Sequence, residues 1–341
     1  MLDWKAVIGT LALTATTALP AGAQEFDLRW GHYLANGPFL DVEAEFAQRI
    51  EERTDGDVAI SISYAGALGG PTELLRLVGR GAVDMTAIPP GYYPDQLLYW
   101  KTAQIPFVFD SGRQAIESFR AAVEEVPQFR EELENLNAHF LFQQPLGEYY
   151  FTAAEGECST MGDLEGKKVR TFGSDLPKIL DTVGATPVTV NATDLYEALQ
   201  RGTLDISFLN AGNIEAYNLY EVGAVNCGPI MAIAGHLILI NKDVWESMPE
   251  EYRTIFEEEA ERANAAYIDW MEDNAEGAIA TMEENDSPVV EFDPAELAAW
   301  KEEAPDLLAA WQEEMDGRGE GEGAAATVAF FEEMTSATPT Q

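Results

Sequence analysis

The sequence predicts an α/β protein of two lobes, with a cleft between them and one long helix shared by both. Three observations carry that expectation. Strand-like and helix-like segments alternate over residues 26–143, and the alternation restarts near Gly147. A helical pattern then runs from Ser247 to about Glu284; at 1.5 Å per residue it would be roughly 50 Å long, more than one domain is wide. Finally, 341 residues of which 46% are apolar suffice for two ordinary domains with a sizeable core.

The elements follow in chain order. Phe26 to His32 alternates as a strand. Gly37 to Arg53 carries Phe39, Leu40, Val42, Phe46 and Ile50 on one helical face. Asp57 to Tyr64 reads as a strand, Thr72 to Arg80 as a short helix opened by Pro71, and Ala82 to Ile88 as a third strand. This β-α-β-α-β rhythm predicts a largely parallel sheet. A helix at Gly112 to Glu125 and a strand at Ala138 to Gln143 complete the first unit. In the second unit, Glu148 to Ala153, Lys168 to Thr171, Pro187 to Val190 and Leu204 to Leu209 read as strands. Leu176 to Val183 and Asp194 to Gln200 read as helices. Ile230 to Ile240 is an apolar run of strand length, too short to span a membrane. Ser247-Met248-Pro249-Glu250 reads as a capping box opening the long helix. Gly317 to Gly323 reads as a Gly/Glu-rich loop before a last helix, and Ser336 to Gln341 as a polar tail. The expected lobes are residues 24–146 with about 235–274, and residues 147–234 with about 275–335.

Sixty acidic against 20 basic residues leave a formal charge of −40. Such a field repels phosphate backbones and anionic lipid headgroups, so neither nucleic acid nor a membrane surface is an expected partner. A small anion is a different case, because one arginine in a desolvated pocket outweighs the mean field. Abundant carboxylate with scarce lysine suits a high-salt setting, where screening within a few ångströms tames self-repulsion. A merely acidic exported protein is the plainer reading. The N-terminus has the secretory pattern: Met1 to Lys5 with one lysine, an uncharged Ala6 to Leu19, then the small-x-small Ala21-Gly22-Ala23. Cleavage is expected after Ala23, leaving an exported mature chain.

An even cysteine count in an exported chain favours a Cys158–Cys227 disulfide over two separate buried thiols. His32, His139 and His236 are scattered without metal-ligand spacing, and there is no C-x-x-C, so no metal and no other cofactor is expected. The chain has no G-x-S-x-G, H-E-x-x-H or Walker pattern and no dinucleotide fingerprint after the first strand. Among 60 carboxylates no pair stands out, so nothing nominates a catalytic residue.

One stretch is more specific. Asp163-Leu-Glu-Gly-Lys-Lys-Val-Arg170 is followed by Gly184-Ala-Thr-Pro187 and by Tyr196-Glu-Ala-Leu-Gln-Arg-Gly-Thr-Leu-Asp205. In order and spacing this resembles the extracytoplasmic solute-binding subunits of TRAP transporters, the DctP family, with D-L-x-G-x-K-[IV]-R, G-A-x-P and Y-x-A-L-Q-x-G-x-[IV]-D. Weaker likeness covers most of the chain: Ala65 to Gly69 with Glu73-Leu74-Leu75, Gly81 to Met85, Ile105-Pro106-Phe107, and Asn241 to Trp245 entering the long helix.

The resemblance implies a periplasmic-binding-protein-like fold and a periplasmic receptor, not an enzyme. Such a receptor closes on a small organic acid and delivers it to a permease of two integral-membrane subunits, with this chain a monomer. It also implies that an arginine on the first of those strands binds the ligand carboxylate, and Arg170 stands there. A guanidinium pairs with a carboxylate in a bidentate, charge-assisted way. Taken alone, the residues leave Arg170 equally open to an internal salt bridge. The further expected ligand contacts are Asn210 at a strand end, Phe172, His32 after the first strand, Tyr92 after Pro89-Pro90-Gly91, and Tyr150 and His236 near the hinge. Tyr33, Tyr93 and Tyr149 adjoin three of these positions. The chain departs from the family in Tyr149 to Ala154, which lacks the second basic residue of the sugar-acid binders, in Asp205-Ile206 where Asp-Gly is common, and in Phe172 where proline is usual. A monocarboxylate is therefore expected, such as a hydroxy, keto or aromatic acid, or ectoine. The alternatives are a binding protein of another transporter or sensor class, or an exported hydrolase.

Overall fold

The computed structural model describes residues 25–337; the signal pattern ending at Ala23 lies outside them. The strands are β1 (Phe26–Gly31), β2 (Val58–Ser63), β3 (Met85–Ile88), β4 (Ala138–Gln144), β5 (Gly147–Ala153), β6 (Lys168–Thr171), β7 (Thr186–Thr189), β8 (Ile206–Asn210), β9 (Val225–Ile233), β10 (His236–Asn241) and β11 (Val289–Val290). The helices are α1 (Asp41–Arg53), α2 (Leu74–Gly79), α3 (Gly112–Glu125), α4 (Pro127–Asn135), α5 (Met161–Leu164), α6 (Leu176–Thr182), α7 (Leu195–Gln200), α8 (Ala211–Ala216), α9 (Lys242–Ser247), α10 (Glu250–Glu284), α11 (Pro294–Glu303), α12 (Leu307–Arg318) and α13 (Gly321–Ala337).

The strands form two sheets, in the orders β2-β1-β3-β10-β4 and β11-β9-β5-β8-β6-β7. The expected parallel rhythm holds for β2-β1-β3 and for β8-β6-β7. The sheets as wholes are mixed, which corrects the largely parallel expectation. The physical reason is connectivity. The chain crosses between sheets at Pro145-Leu146 and again at Ala234-Gly235, and around those crossings β4 pairs antiparallel with β10, β10 with β3, β5 with β8 and β9 with β5, while β11 pairs parallel with β9.

The apolar run Ile230 to Ile240, read as one strand, is two strands in different sheets. Hydrophobicity is continuous because β9 and β10 are both buried almost throughout. The break is conformational: Gly235 has φ 118°, and a Cβ there would lie 2.0 Å from the carbonyl oxygen of Gln144. Only glycine passes the chain through this point.

The long helix is confirmed as α10, 35 residues ending at Glu284. It packs on α1 and β4 in the first layer, then on α8 and β11 in the second. Glu259, almost fully buried on its inner face, ties it to α1 through Nε of Arg49 at 2.5 Å and Nη1 of Arg53 at 2.9 Å. The capping box is not formed. Ser247 ends the separate α9 and donates its hydroxyl to the Val244 carbonyl at 2.7 Å, while Pro249 starts α10 with no side-chain cap.

The C-terminal region also departs from expectation. The Gly317 to Gly323 loop contracts to a turn at Gly319, φ 86°, between α12 and α13. These helices were expected with the second lobe. They dock instead on α3 and the segment before it: Trp311 Nε1 donates to the Leu98 carbonyl at 2.8 Å, and the Phe331 ring lies 5.0 Å from Phe119. The disulfide is formed. Cys158, after β5, and Cys227, on β9, have Cα atoms 5.7 Å apart, and no cysteine is free among the described residues.

Candidate ligand-binding site

The site grows from β6. Val169 faces the core and Arg170 the opposite side, as strand alternation requires. Arg170 lies at the carboxyl end of a strand held between parallel neighbours, where ligands of open α/β sheets collect. The residue is 2% exposed. Nε donates to the Val190 carbonyl just after β7 at 3.1 Å and Nη1 to the Phe208 carbonyl in the middle of β8 at 2.8 Å, so both flanking strands orient it. Nη2 donates to the Tyr92 hydroxyl at 3.0 Å. Cζ sits 4.5 Å from the centroid of the Phe172 ring, a cation–π contact. Three of five guanidinium N–H groups are thereby used, leaving one on each terminal nitrogen. No carboxylate pairs with Arg170 among the described residues.

Arg170 opens into a narrow cavity between the two sheets. Tyr33, Tyr92, Gln104 and His236 line it from the first-sheet side, and Tyr149, Phe172 and Asn213 from the second. Arg170 is the one charged residue in the lining. Burial, more than any neighbour, pushes the phenols of Tyr33 and Tyr149 in the lining up, and that of Tyr217 outside it, so they stay protonated; all three also feel Tyr92 and Arg170. His236 is also neutral, because burial first, with His32 adding, holds its pKa down to about 3. The wall therefore combines one fixed cation with aromatic faces and neutral hydrogen-bonding groups.

Of the expected contacts, Arg170, Phe172, Tyr92 and His236 meet here. Three do not. His32 is fully enclosed behind the wall, with Nδ1 accepting the Leu34 amide at 3.0 Å and Nε2 lying 3.3 Å from Glu43. Tyr150 projects from the other face of β5, into a groove shared with Trp270 and Asn274, while its neighbour Tyr149 faces the cavity. Asn210 lines that same groove; its Oδ1 accepts from Asn213 Nδ2 at 2.8 Å, and Asn213 is the asparagine in the cavity. Tyr93 is structural, donating to the Pro71 carbonyl at 2.7 Å. Gln104 and Asn213 were missed, and no motif marks either. Gly91 is the nearest sequence signal for Gln104, since a Cβ there would lie 1.6 Å from the Gln104 amide oxygen. No cluster of three or more His, Cys, Asp or Glu among the described residues is arranged to hold a metal.

Comparisons with known proteins agree with this fold. The family described as bacterial extracellular solute-binding protein, family 7 (DctP), matches residues 35–314. The chain is 23% identical over 328 residues to the C4-dicarboxylate-binding periplasmic protein DctP of Rhodobacter capsulatus, covering 95% of this chain and 96% of that one. It is 24% identical over 315 residues to the ectoine-binding periplasmic protein TeaA of Halomonas elongata, covering 89% and 88%. The structure of a TRAP periplasmic solute binding protein from Desulfovibrio salexigens with bound orotic acid shares the fold, with a TM-score of 0.80 and 22% identity over 91% of this chain and 98% of that one. A two-sheet α/β fold, a central arginine-centred cavity and a family match over most of the length lead to one assignment: the chain belongs to the DctP family of extracellular solute-binding receptors and is not an enzyme.

Proposed function

We propose that this protein is the periplasmic receptor of a TRAP-type transporter and captures a small monocarboxylate by closing two lobes around an Arg170–carboxylate pair. The observation that carries the reading is the uncompensated guanidinium. Arg170 is buried, held by carbonyls and a phenol, and retains two N–H groups beside a cavity that no acidic residue lines. A buried charge without a partner is costly, and a ligand carboxylate supplies one. A single cation in the lining supports one carboxylate over two. Relatives bind a C4-dicarboxylate and ectoine, and a structural neighbour holds orotic acid, so the fold accommodates small polar ligands of differing charge.

The lobes in this reading are residues 24–146 with about 235–274, and 147–234 with about 275–306; α12 and α13 join the first lobe, on which they pack. The crossings at 145–146 and 234–235, with α10, serve as the hinge. Two integral-membrane permease subunits receive the ligand, the receptor acts as a monomer, and the signal segment is removed after Ala23.

The test is a thermal-shift screen of small carboxylates followed by calorimetry. An acid at 100 times its dissociation constant stabilises by about 2.7 kcal/mol. Arg170→Ala is expected to weaken the best acid at least tenfold, since a hydrogen bond to a charged group contributes roughly 1.5–3 kcal/mol. Retained affinity refutes the clamp, and conversion of the bound acid to another compound refutes the receptor.

A further inference from the structure

Behind the first-sheet wall of the cavity lies a chain of buried polar groups that the clamp does not use. Glu43, on α1, is fully buried, and no lysine or arginine pairs with it among the described residues. Its Oε1 accepts from Nε2 of Gln144 at 2.9 Å and from the Tyr267 hydroxyl at 3.1 Å. Its Oε2 lies 3.3 Å from Nε2 of His32. Because Nδ1 of His32 accepts the Leu34 amide, the His32 ring proton is on Nε2, toward Glu43.

This arrangement has a direction. Glu43 draws the nitrogen of the Gln144 amide, which turns the amide oxygen to Nδ1 of His236. An amide oxygen only accepts, so Nδ1 of His236 carries the proton and Nε2 is bare. The Tyr33 hydroxyl, 2.8 Å from Nε2, must then donate to it. Tyr33 consequently offers the cavity lone pairs and no proton. The Arg170–Tyr92 pair in the same lining has the reverse character. The Tyr92 oxygen accepts from Arg170 and from the Ala192 amide at 3.3 Å, which frees its proton, and Arg170 keeps two N–H groups.

We propose that Glu43, acting through Gln144 and His236, polarises the cavity, so that it selects a monocarboxylate with an N–H or O–H donor at its far end and refuses a second carboxylate there. The proposal rests on the reading of the cavity as an acid site and adds its selectivity. A donor at the far end satisfies the Tyr33 oxygen, whereas a second carboxylate meets its lone pairs. Sites that hydrogen-bond a polar group reject a mismatched one strongly, because their own buried groups go unpaired. Glu43 is a positioning residue, touching no ligand.

Two measurements test this. The first needs no ligand. With only three histidines, long-range proton–nitrogen spectra of histidine-labelled protein at neutral pH resolve each ring. His236 is expected as the neutral Nδ1–H tautomer and His32 as Nε2–H; an Nε2–H tautomer at His236 overturns the proposal. The second is calorimetry with sets of acids sharing one skeleton: the plain monocarboxylate, its distal hydroxyl or amino derivative, and the dicarboxylate. The donor-bearing member should bind at least tenfold more tightly than the dicarboxylate. Tyr33→Phe should remove the advantage of the donor over the plain acid. Glu43→Gln, which lets the Gln144 amide turn, should shrink the preference over the dicarboxylate at least threefold, a change that a purely structural role would not produce. A dicarboxylate bound as tightly as its donor-bearing counterpart overturns the polarity while leaving the receptor intact. Failure of every acid to bind sinks the receptor reading and this proposal together.

Discussion

Nη2 of Arg170 donates to the hydroxyl of Tyr92 at 3.0 Å, and the two residues come from different sheets. Arg170 is on β6, and Tyr92 follows β3. The Tyr92 oxygen also accepts the Ala192 amide, so this single phenol ties the first-sheet side to both the clamp and the loop after β7. Tyr92→Phe deletes those bonds and little volume. Because the Arg170 bond has a charged donor, worth roughly 1.5–3 kcal/mol, affinity for the acid should fall at least tenfold. The loss should reside in the dissociation rate, because the bonds form when the lobes meet. Stopped-flow binding separates the two rates; an unchanged dissociation rate contradicts a bridging role.

Cys158 and Cys227 are 69 residues apart, and bridging a loop of that length stabilises by roughly 4 kcal/mol in the chain-entropy model. Replacing both with serine should lower the thermal midpoint by several degrees and leave ligand affinity unchanged, since neither cysteine lines the cavity. Thiol titration of the denatured, unreduced protein should find no free thiol. Two reactive thiols per chain would exclude the bridge.

Acid should destabilise the fold, and the sign follows from burial. His236 is held down to about 3 and His139, stacked on Trp245, to about 4. Below the ordinary histidine value of about 6.5 the unfolded chain binds these protons and the folded chain does not, so stability falls as pH drops. Glu132 acts oppositely. Burial raises it to about 7 despite the amides of Tyr99, Trp100 and Leu98, so its contribution is present at low pH and lost as pH rises through 7. Two histidines against one glutamate leave about one net proton between pH 6.5 and 4.5, a loss of about 1 kcal/mol per pH unit. Denaturant titrations across that range measure the slope. Glu132→Gln removes the opposing group and should steepen it; a flat profile would show that the histidines are hydrated.

A charge of −40 makes the protein sensitive to ionic strength. Raising salt from about 0.01 M to about 1 M shortens the screening length from about 30 Å to about 3 Å. The thermal midpoint should rise over that range. The association rate of an anionic acid should rise with it, the reverse of an electrostatically steered encounter. An association rate that falls with salt would mean that the cavity mouth is locally positive.

Much of this was legible in the sequence because it is local. The motif around Arg170 carried a family resemblance that singled this arginine out, and α3 and β6 fall at their expected bounds. The 3.6-residue stripe found α10. What the sequence misread is governed by contacts distant along the chain. Ser247 and Glu250 have capping-box spacing, yet a separate helix takes the serine. Ile230 to Ile240 is uniformly apolar, so nothing in its pattern marks the passage from one sheet to the other. Adjacent tyrosines at 149 and 150 are chemically equal, and only the register of β5 against β8 and β9 turns one into the cavity and the other away.

By itself, the sequence determined the α/β class, the long shared helix, the place of Arg170 and the pairing of its two cysteines. Each follows from short-range periodicity, a contiguous motif or simple counting. Only the tertiary structure decided how Arg170 is satisfied, by two carbonyls and a phenol instead of a carboxylate, and that His32 and Glu43 stand behind the wall while His236 and Tyr33 form it. Those outcomes depend on which backbone ends and side chains meet after residues as far apart as 33 and 236 fold together, and no pattern along the chain records that meeting.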